Sequence, residues 1–310
     1  MKQSKPLNLR HMKDNPLKGI FLMATAVFLI VTMNMFGKMV GAWHSPIELV
    51  FWRNFIALGL VVAIILYKRD TSLFKTKRIK GHLIRSIGGT CGLIMVFWAY
   101  ALMPMADVVA IMFTAGLMTT GLSAVILKEK VGIYRWSAVI FGFLGALITV
   151  SPSGNEWDIH GVLVALGAAF IGGALVSTML RSLGKTEPAL TTVFYFLSVG
   201  LFMTLPFVVY AGIFPTSESI WPIIGCGLAG GISLILKTDA FRYAEASLLS
   251  PVHYTAIIWA TLMGWFVFQD FPTTNVLIGP GIIIMANVVI LIRERQRANQ
   301  LKLDEATQIT

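Results

Sequence analysis

Gly37-Lys-Met-Val-Gly-Ala-Trp-His-Ser-Pro-Ile-Glu-Leu-Val-Phe-Trp-Arg-Asn54 joins two long apolar runs and still carries Lys38, Glu48 and Arg53. Hydrocarbon tolerates charge poorly, so three charged residues at such a junction need a reason. Whether the flanking runs are membrane spans decides the fold. The rest of the chain answers in the same way throughout.

Only 13% of the 310 residues are charged and 56% are hydrophobic. A soluble domain carries about 25% charge, so the deficit points to a bilayer protein. A span needs about 20 mostly apolar residues, and ten stretches qualify. The first five are roughly Lys18–Gly41, Ile47–Tyr67, His82–Met103, Asp107–Leu127 and Ile133–Val150. The second five are roughly His160–Leu180, Pro188–Ala211, Ile220–Lys237, Pro251–Phe268 and Val276–Ile292. No long hydrophilic segment makes a soluble domain. The first apolar run lacks an A-x-A-like exit and is too long for a signal-peptide core, so no cleavable signal is expected. Cys91 and Cys226 lie inside apolar runs, where small packing residues are expected and a disulfide is not.

The net charge of +10 could suggest nucleic acid, but the basic residues sit in short loops between apolar runs. In a ten-span scheme, 23 of the 25 Lys and Arg residues fall on one side. Lys68 to Arg85, Lys128 to Arg135, Arg181 and Lys185, Lys237 and Arg242, and both chain ends make up that side. The loops opposite, around 104–106, 151–159, 212–219 and 269–275, hold none. The bias of Lys and Arg toward cytoplasmic loops then places both termini in the cytoplasm. Lys38 and Arg53 are the two that stand outside this pattern.

The halves also match each other. Lys18-Gly19 aligns with His160-Gly161, and Ser45-Pro46 with Glu187-Pro188, both at an offset of 142; Ala106 aligns with Ala246 near 140. A five-span repeat is odd in number, so the second copy is inverted in the membrane, and such folds hold solute near the midplane between the repeats. The expected fold class is an all-α integral membrane protein of ten transmembrane helices in two inverted five-helix repeats. Its expected divisions are a cytoplasmic segment 1–17, a first repeat 18–150, a second repeat 160–292 and a cytoplasmic tail 293–310.

Several stretches give this outline a family likeness. Phe241-Arg-Tyr-Ala-Glu-Ala-Ser247, Ser250-Pro251, Tyr254, Gly264 and the exit Phe268-Gln-Asp-Phe-Pro272 resemble the drug/metabolite transporter superfamily, EamA family. Leu127-Lys-Glu-Lys130 is the related stretch of the first half, and Gln269-Asp270 stands where members often have Gly-Glu. The order Lys38, Ser45, Glu48, Arg53 is most similar to S-adenosylmethionine transporters, and the ninth-span region to riboflavin-type members. The resemblance implies a secondary carrier of small metabolites working by alternating access in a bacterial-type inner membrane, with no cofactor. The implied partners are a small-molecule solute and the lipid bilayer, not nucleic acid; a monomer and a homodimer are both compatible.

Candidate pathway residues follow from position. Arg53 sits about 10 Å below Pro46 at 1.5 Å per residue, too deep for easy snorkelling, so a pathway or buried-pair role is expected. Lys38 either snorkels to the outer interface or faces the pathway, where the two cations would favour a carboxylate or phosphate. Ser45-Pro-Ile-Glu48 reads as a capping box with Pro at the first helical position, and pairing of Glu48 with Lys38 or Arg53 is compatible with it. Asn34 either glues helices together or contacts solute. Trp98 and Tyr100 fit an aromatic belt. Tyr254 is the better pathway candidate beside an interfacial His253, and Trp259 is deep enough to stack on an aromatic solute. Lys237, Asp239 and Arg242 form either an inner gate or a positive-inside anchor. Gly88-Gly-Thr-Cys-Gly92 is expected to pack helices, as are the glycines of Gly142–Gly145 and Gly279–Gly281.

No G-x-x-x-x-G-K-[ST] loop, metal-ligand constellation or G-x-S-x-G elbow occurs, so no enzyme is expected. The rivals are a membrane-embedded enzyme acting on lipid-linked substrates and a non-transporting membrane sensor. No acidic residue sits at a midplane, so exchange or facilitated flux is as compatible as proton coupling.

Overall fold

The computed structural model describes residues 16–126, 159–183, 187–212, 214–243 and 249–270, with isolated helical positions within 140–148 and 274–296. The expected fifth and tenth spans, the first 15 residues and the tail lie largely outside the described residues. Among the described residues every regular element is helical.

Helix α1 runs over Pro16–Val40, α2 over Pro46–Tyr67 and α3 over Ile79–Leu102. Helices α4 (Met105–Met112) and α5 (Thr114–Ile126) follow. Helix α6 (Ile159–Ala168) passes through a π-helical segment, Ala169–Leu175, into α7 (Val176–Leu183). Helices α8 (Ala189–Ala211) and α9 (Ile220–Tyr243) are again long, and a 3-10 segment, Ser250–Thr255, leads into α10 (Ala256–Phe268). Among the described residues, five helices are long and apolar enough to cross a membrane: Leu17–Val40, Pro46–Tyr67, Ile79–Leu102, Ala189–Ala211 and Ile220–Lys237. Their outward faces are apolar, with Phe21 and Phe202 each 71% exposed. A water-facing surface would hide many such rings; a lipid-facing one displays them.

Local chemistry sets the ends of these elements. At the start of α2 the Ser45 hydroxyl accepts from the Glu48 backbone N–H (3.4 Å), and the Glu48 carboxylate accepts from the Ser45 N–H (3.1 Å). With Pro46 at the first position, two otherwise unpaired donors are satisfied. The expected fourth span divides at Phe113, whose N–H is shared between the Val109 and Ala110 carbonyls, each at 3.2 Å. Thr114 then donates back to Ile111 O (2.7 Å), a bond that bends helices. The irregular segments meet: Phe113 lies edge-on to Tyr254 at 5.4 Å, and Gly173 of the π-helical segment abuts Ala115.

Helices from the two halves of the sequence pack on one another. Helix α1 lies chiefly on α9, α2 on α8 and α9, α3 on α6, α8 and the π-helical segment, and α4 on α10. One crossing is glycine on glycine. A Cβ on Gly172 would stand 3.0 Å from Gly92 Cα, so this part of the Gly88–Gly92 run does pack helices. One large apolar cluster, including Val31, Leu49, Val50, Phe97, Met105 and Ile223, fills the end of the bundle that holds the α1–α2 turn. Two smaller clusters, around Val61 with Leu197 and around Met23 with Leu249, fill the other end. Polar side chains occupy the level between them.

Candidate functional site

Arg53 follows Leu49 and Val50 of the large cluster and precedes Ala57 and Val61 of a smaller one, which puts it at the intermediate level. Its side chain is 3% exposed. Nη1 donates to the Asn54 side-chain oxygen at 2.7 Å, while Nε has no acceptor among the described residues. The guanidinium lies against Gly230 of α9: a Cβ there would stand 2.8 Å from Arg53 Nε, 2.9 Å from Nη2 and 2.8 Å from Met33 Sδ. Gly200 of α8 plays the same part for Asn54 and Thr90, 2.5 and 2.8 Å from a Cβ it does not have. Two glycines of the second half thus make room for polar side chains of the first.

Arg85 belongs to this layer and was missed in the sequence. Its place next to the Lys68–Lys80 run counted it among the loop cations, but α3 begins at Ile79, so Arg85 lies about 9 Å into the helix. It is 7% exposed, its guanidinium lies 4.2 Å from the centre of the Phe196 ring, and Nε and Nη1 have no acceptor among the described residues. The available signal was its position inside the apolar run His82–Met103. Lys237 needs the same correction. The expected eighth span stops there, but α9 continues to Tyr243, because hydropathy marks a hydrocarbon edge and not the last helical hydrogen bond. Lys237 is half-buried, with Arg85 as an electrostatic neighbour, and His253 in turn neighbours Lys237.

Lys38 neither snorkels nor meets Glu48. Its ammonium donates to Asp270 Oδ2 at 2.8 Å and to Met103 O at 3.2 Å, and lies 4.8 Å from the Phe268 ring centre. This ion pair ties α1 to the end of α10, with Asp107 in electrostatic reach of both partners. Glu48, 4% exposed, completes the cap and approaches His44 Nδ1 at 3.3 Å, while His44 Nε2 lies 2.9 Å from the Ser219 hydroxyl at the start of α9. The connectivity is that of a nucleophile triad. Ser219 is fully buried and already accepts from the Thr216 N–H at 2.9 Å, however, so these three residues act as a clamp.

Asn34 donates to the Tyr100 hydroxyl at 3.0 Å and so joins α1 to α3, while its side-chain oxygen has no donor among the described residues. Tyr254 packs on Phe113, and Trp259 lies edge-on to Phe28 at 5.0 Å. Trp98 is 50% exposed and faces away from the buried polar layer. Asp239 is partly buried, and the side chain of Arg242 lies outside the described residues. At the far end His82 is buried, 3.6 Å from Glu187 and stacked on Tyr195. That distance is an ion-pair approach and not a hydrogen bond.

Such a layer suits a membrane carrier: apolar helices outside, and unsatisfied donors between clusters contributed by both halves. The EamA-like transporter family model matches the chain twice, over residues 17–151 and 159–292, and the chain belongs to that family. It is a multi-pass membrane transporter and not an enzyme. It is 26% identical over 301 residues to the riboflavin transporter of Vibrio cholerae, covering 93% of this chain and 97% of that protein. It is 25% identical over 274 residues to the pseudopaline exporter of Pseudomonas aeruginosa, covering 88% and 95%. It is 26% identical over 261 residues to the S-adenosylmethionine uptake transporter of Rickettsia bellii, covering 84% and 88%. A solved crystal structure 17% identical shares the fold with a TM-score of 0.64, over 90% of this chain and 98% of that one.

Two expected results follow at the helix contacts. Gly230→Ala displaces the Arg53 guanidinium, so uptake in reconstituted vesicles should fall by tenfold or more although Arg53 is still present. Asp270→Asn breaks a partly exposed pair worth on the order of 1 kcal/mol. Transport rate should therefore change by a few-fold with little change in melting temperature, and the charge swap K38D/D270K should restore it.

Proposed function

We propose that the chain is a secondary transporter that moves a small amphipathic metabolite across a bacterial-type inner membrane by alternating access. Ten spans in two inverted five-helix repeats, with both termini cytoplasmic, form the scaffold. The solute is S-adenosylmethionine-like, an amino acid or an amino-acid derivative. The observation that carries this reading is the buried guanidinium of Arg53, with a free donor, held between helices of the two halves. Buried charge within a span is costly and marks substrate pathways, and the interface between repeats is where such folds hold their solute. The printed activities of the relatives support the solute class. The V. cholerae protein also supports a second reading, a flavin transporter of the same fold.

The Lys38–Asp270 pair and the His44–Glu48–Ser219 clamp join the two halves at the end that the charge bias assigns to the outside. They close that end of the pathway and must part for solute to pass. Uptake of labelled S-adenosylmethionine, amino acids and riboflavin into proteoliposomes, with and without internal solute and a pH gradient, tests the proposal. Saturable uptake of at least one is expected. Movement of none by folded, inserted protein contradicts the carrier reading.

A further inference from the structure

Among the described residues, the polar layer holds three cations that no ion pair includes. Arg53 and Arg85 are electrostatic neighbours, and Lys237 neighbours Arg85. The ion pairs among the described residues are Lys38–Asp270, His44–Glu48 and His82–Glu187, and none of them includes any of the three. Buried donors without an acceptor gather at the same place. They are Arg53 Nε, Asn54 Nδ2, Arg85 Nε and Nη1, and the hydroxyls of Ser86 and Thr90. Leaving so many donors unmet in the interior is unfavourable, and leaving guanidinium groups unmet is more so. A helix bundle could avoid both with apolar residues of similar size.

We infer that the transported solute is a net anion whose carboxylate or phosphate group is received between Arg53 and Arg85. The inference rests on the carrier reading and narrows it. Guanidinium is the side chain best shaped for an oxyanion, since its planar fork donates two parallel hydrogen bonds. Arg85 is oriented for this by the Phe196 ring beneath it, and Arg53 by its bond to Asn54 and by the open wall at Gly230. Lys237 adds a third positive charge on the side of Arg85. S-adenosylmethionine has a carboxylate but is a net cation, and its sulfonium and ammonium meet like charge from these residues. Glu48, the acid nearest Arg53 in sequence, is engaged by Ser45 and His44 instead. A neutral flavin can accept hydrogen bonds through its carbonyls but leaves the guanidinium charges uncompensated.

The test uses the full chain in detergent and in proteoliposomes. Melting is followed at constant ionic strength with chloride replaced by acetate or by inorganic phosphate, for wild type, Arg85→Gln and Arg85→Lys. Wild type should be stabilised by at least one of the two anions, Arg85→Lys should keep part of that response, and Arg85→Gln should lose it. In the same vesicles, glutamate is compared with glutamine, and riboflavin 5′-phosphate with riboflavin. The acidic member of at least one pair should be preferred by tenfold or more, the ratio expected from one charged hydrogen bond, and Arg85→Gln should bring that ratio close to one. Preference in the first pair assigns a carboxylate, in the second a phosphate. An absent anion response in wild type, or saturable uptake of S-adenosylmethionine with both acidic members ignored, overturns the inference and leaves the carrier reading in place. An anion response that disappears in Arg85→Gln, with no uptake of any solute, keeps the site and removes the carrier.

Discussion

Arg53→Ala is expected to abolish solute uptake while leaving the protein folded, inserted and no less stable. The two halves of this expectation come from one fact. Arg53 is buried with no ion pair among the described residues, so its charge is a cost to the empty protein. Deleting it removes that cost and leaves a cavity, and the two effects oppose each other. The melting temperature should then stay level or rise. A solute that relied on the guanidinium loses one or more charged hydrogen bonds, each worth about 1.5–3 kcal/mol, which lowers affinity roughly tenfold to more than a hundredfold. A residue serving only the scaffold would show the reverse pattern, with falling stability and little specific loss of uptake. Thermal unfolding and initial uptake rates on the same preparation separate the two.

Gly92→Ala is expected to have the largest effect on folding. The added methyl has no soft neighbour to push aside, because it meets the Gly172 backbone of the π-helical segment. Overpacking typically costs about 1–3 kcal/mol where side chains can adjust, and here only backbone can move. The helices α3 and α6–α7 must separate, which disturbs the wall carrying Arg85, Ser86 and Thr90. A large drop in melting temperature and in the yield of monodisperse protein should result. Gly59→Ala is a fitting control, since a Cβ at Gly59 meets nothing within 4 Å.

Much of the fold was legible because it depends on short-range chemistry. Long apolar runs gave α1, α2 and α8 to within two residues and α3 to within three, while α9 runs on past its apolar run to Tyr243. Ser45-Pro-Ile-Glu48 gave the start of α2 because a capping box is closed by four neighbouring residues. The break at Phe113, the π-helical turn at Ala169–Leu175 and the 3-10 start at Ser250–Thr255 were not legible. Helices that are apolar on every side carry no periodic face, so hydropathy shows a run without showing how it is wound. The site was half legible. Arg53 stood out by depth alone, and so did Lys38. The partner of Lys38 is Asp270, 232 residues away, which no local pattern can pair with it. Arg85 and Lys237 were hidden by a different rule. Both sit near basic loops, and counting charge by loop assigns them there, although the helices extend past the apolar runs and draw both side chains inward.

Solute counterflow in proteoliposomes tests the central claim most directly. Vesicles are loaded with an excess of an unlabelled solute that the uptake experiments identify, and the labelled solute is added outside at low concentration. A carrier with one site that alternates between the two faces should drive transient accumulation of label above equilibrium, and Arg53→Ala should remove the overshoot. Label that rises to equilibrium without an overshoot, at the same rate in wild type and Arg53→Ala, would contradict the account.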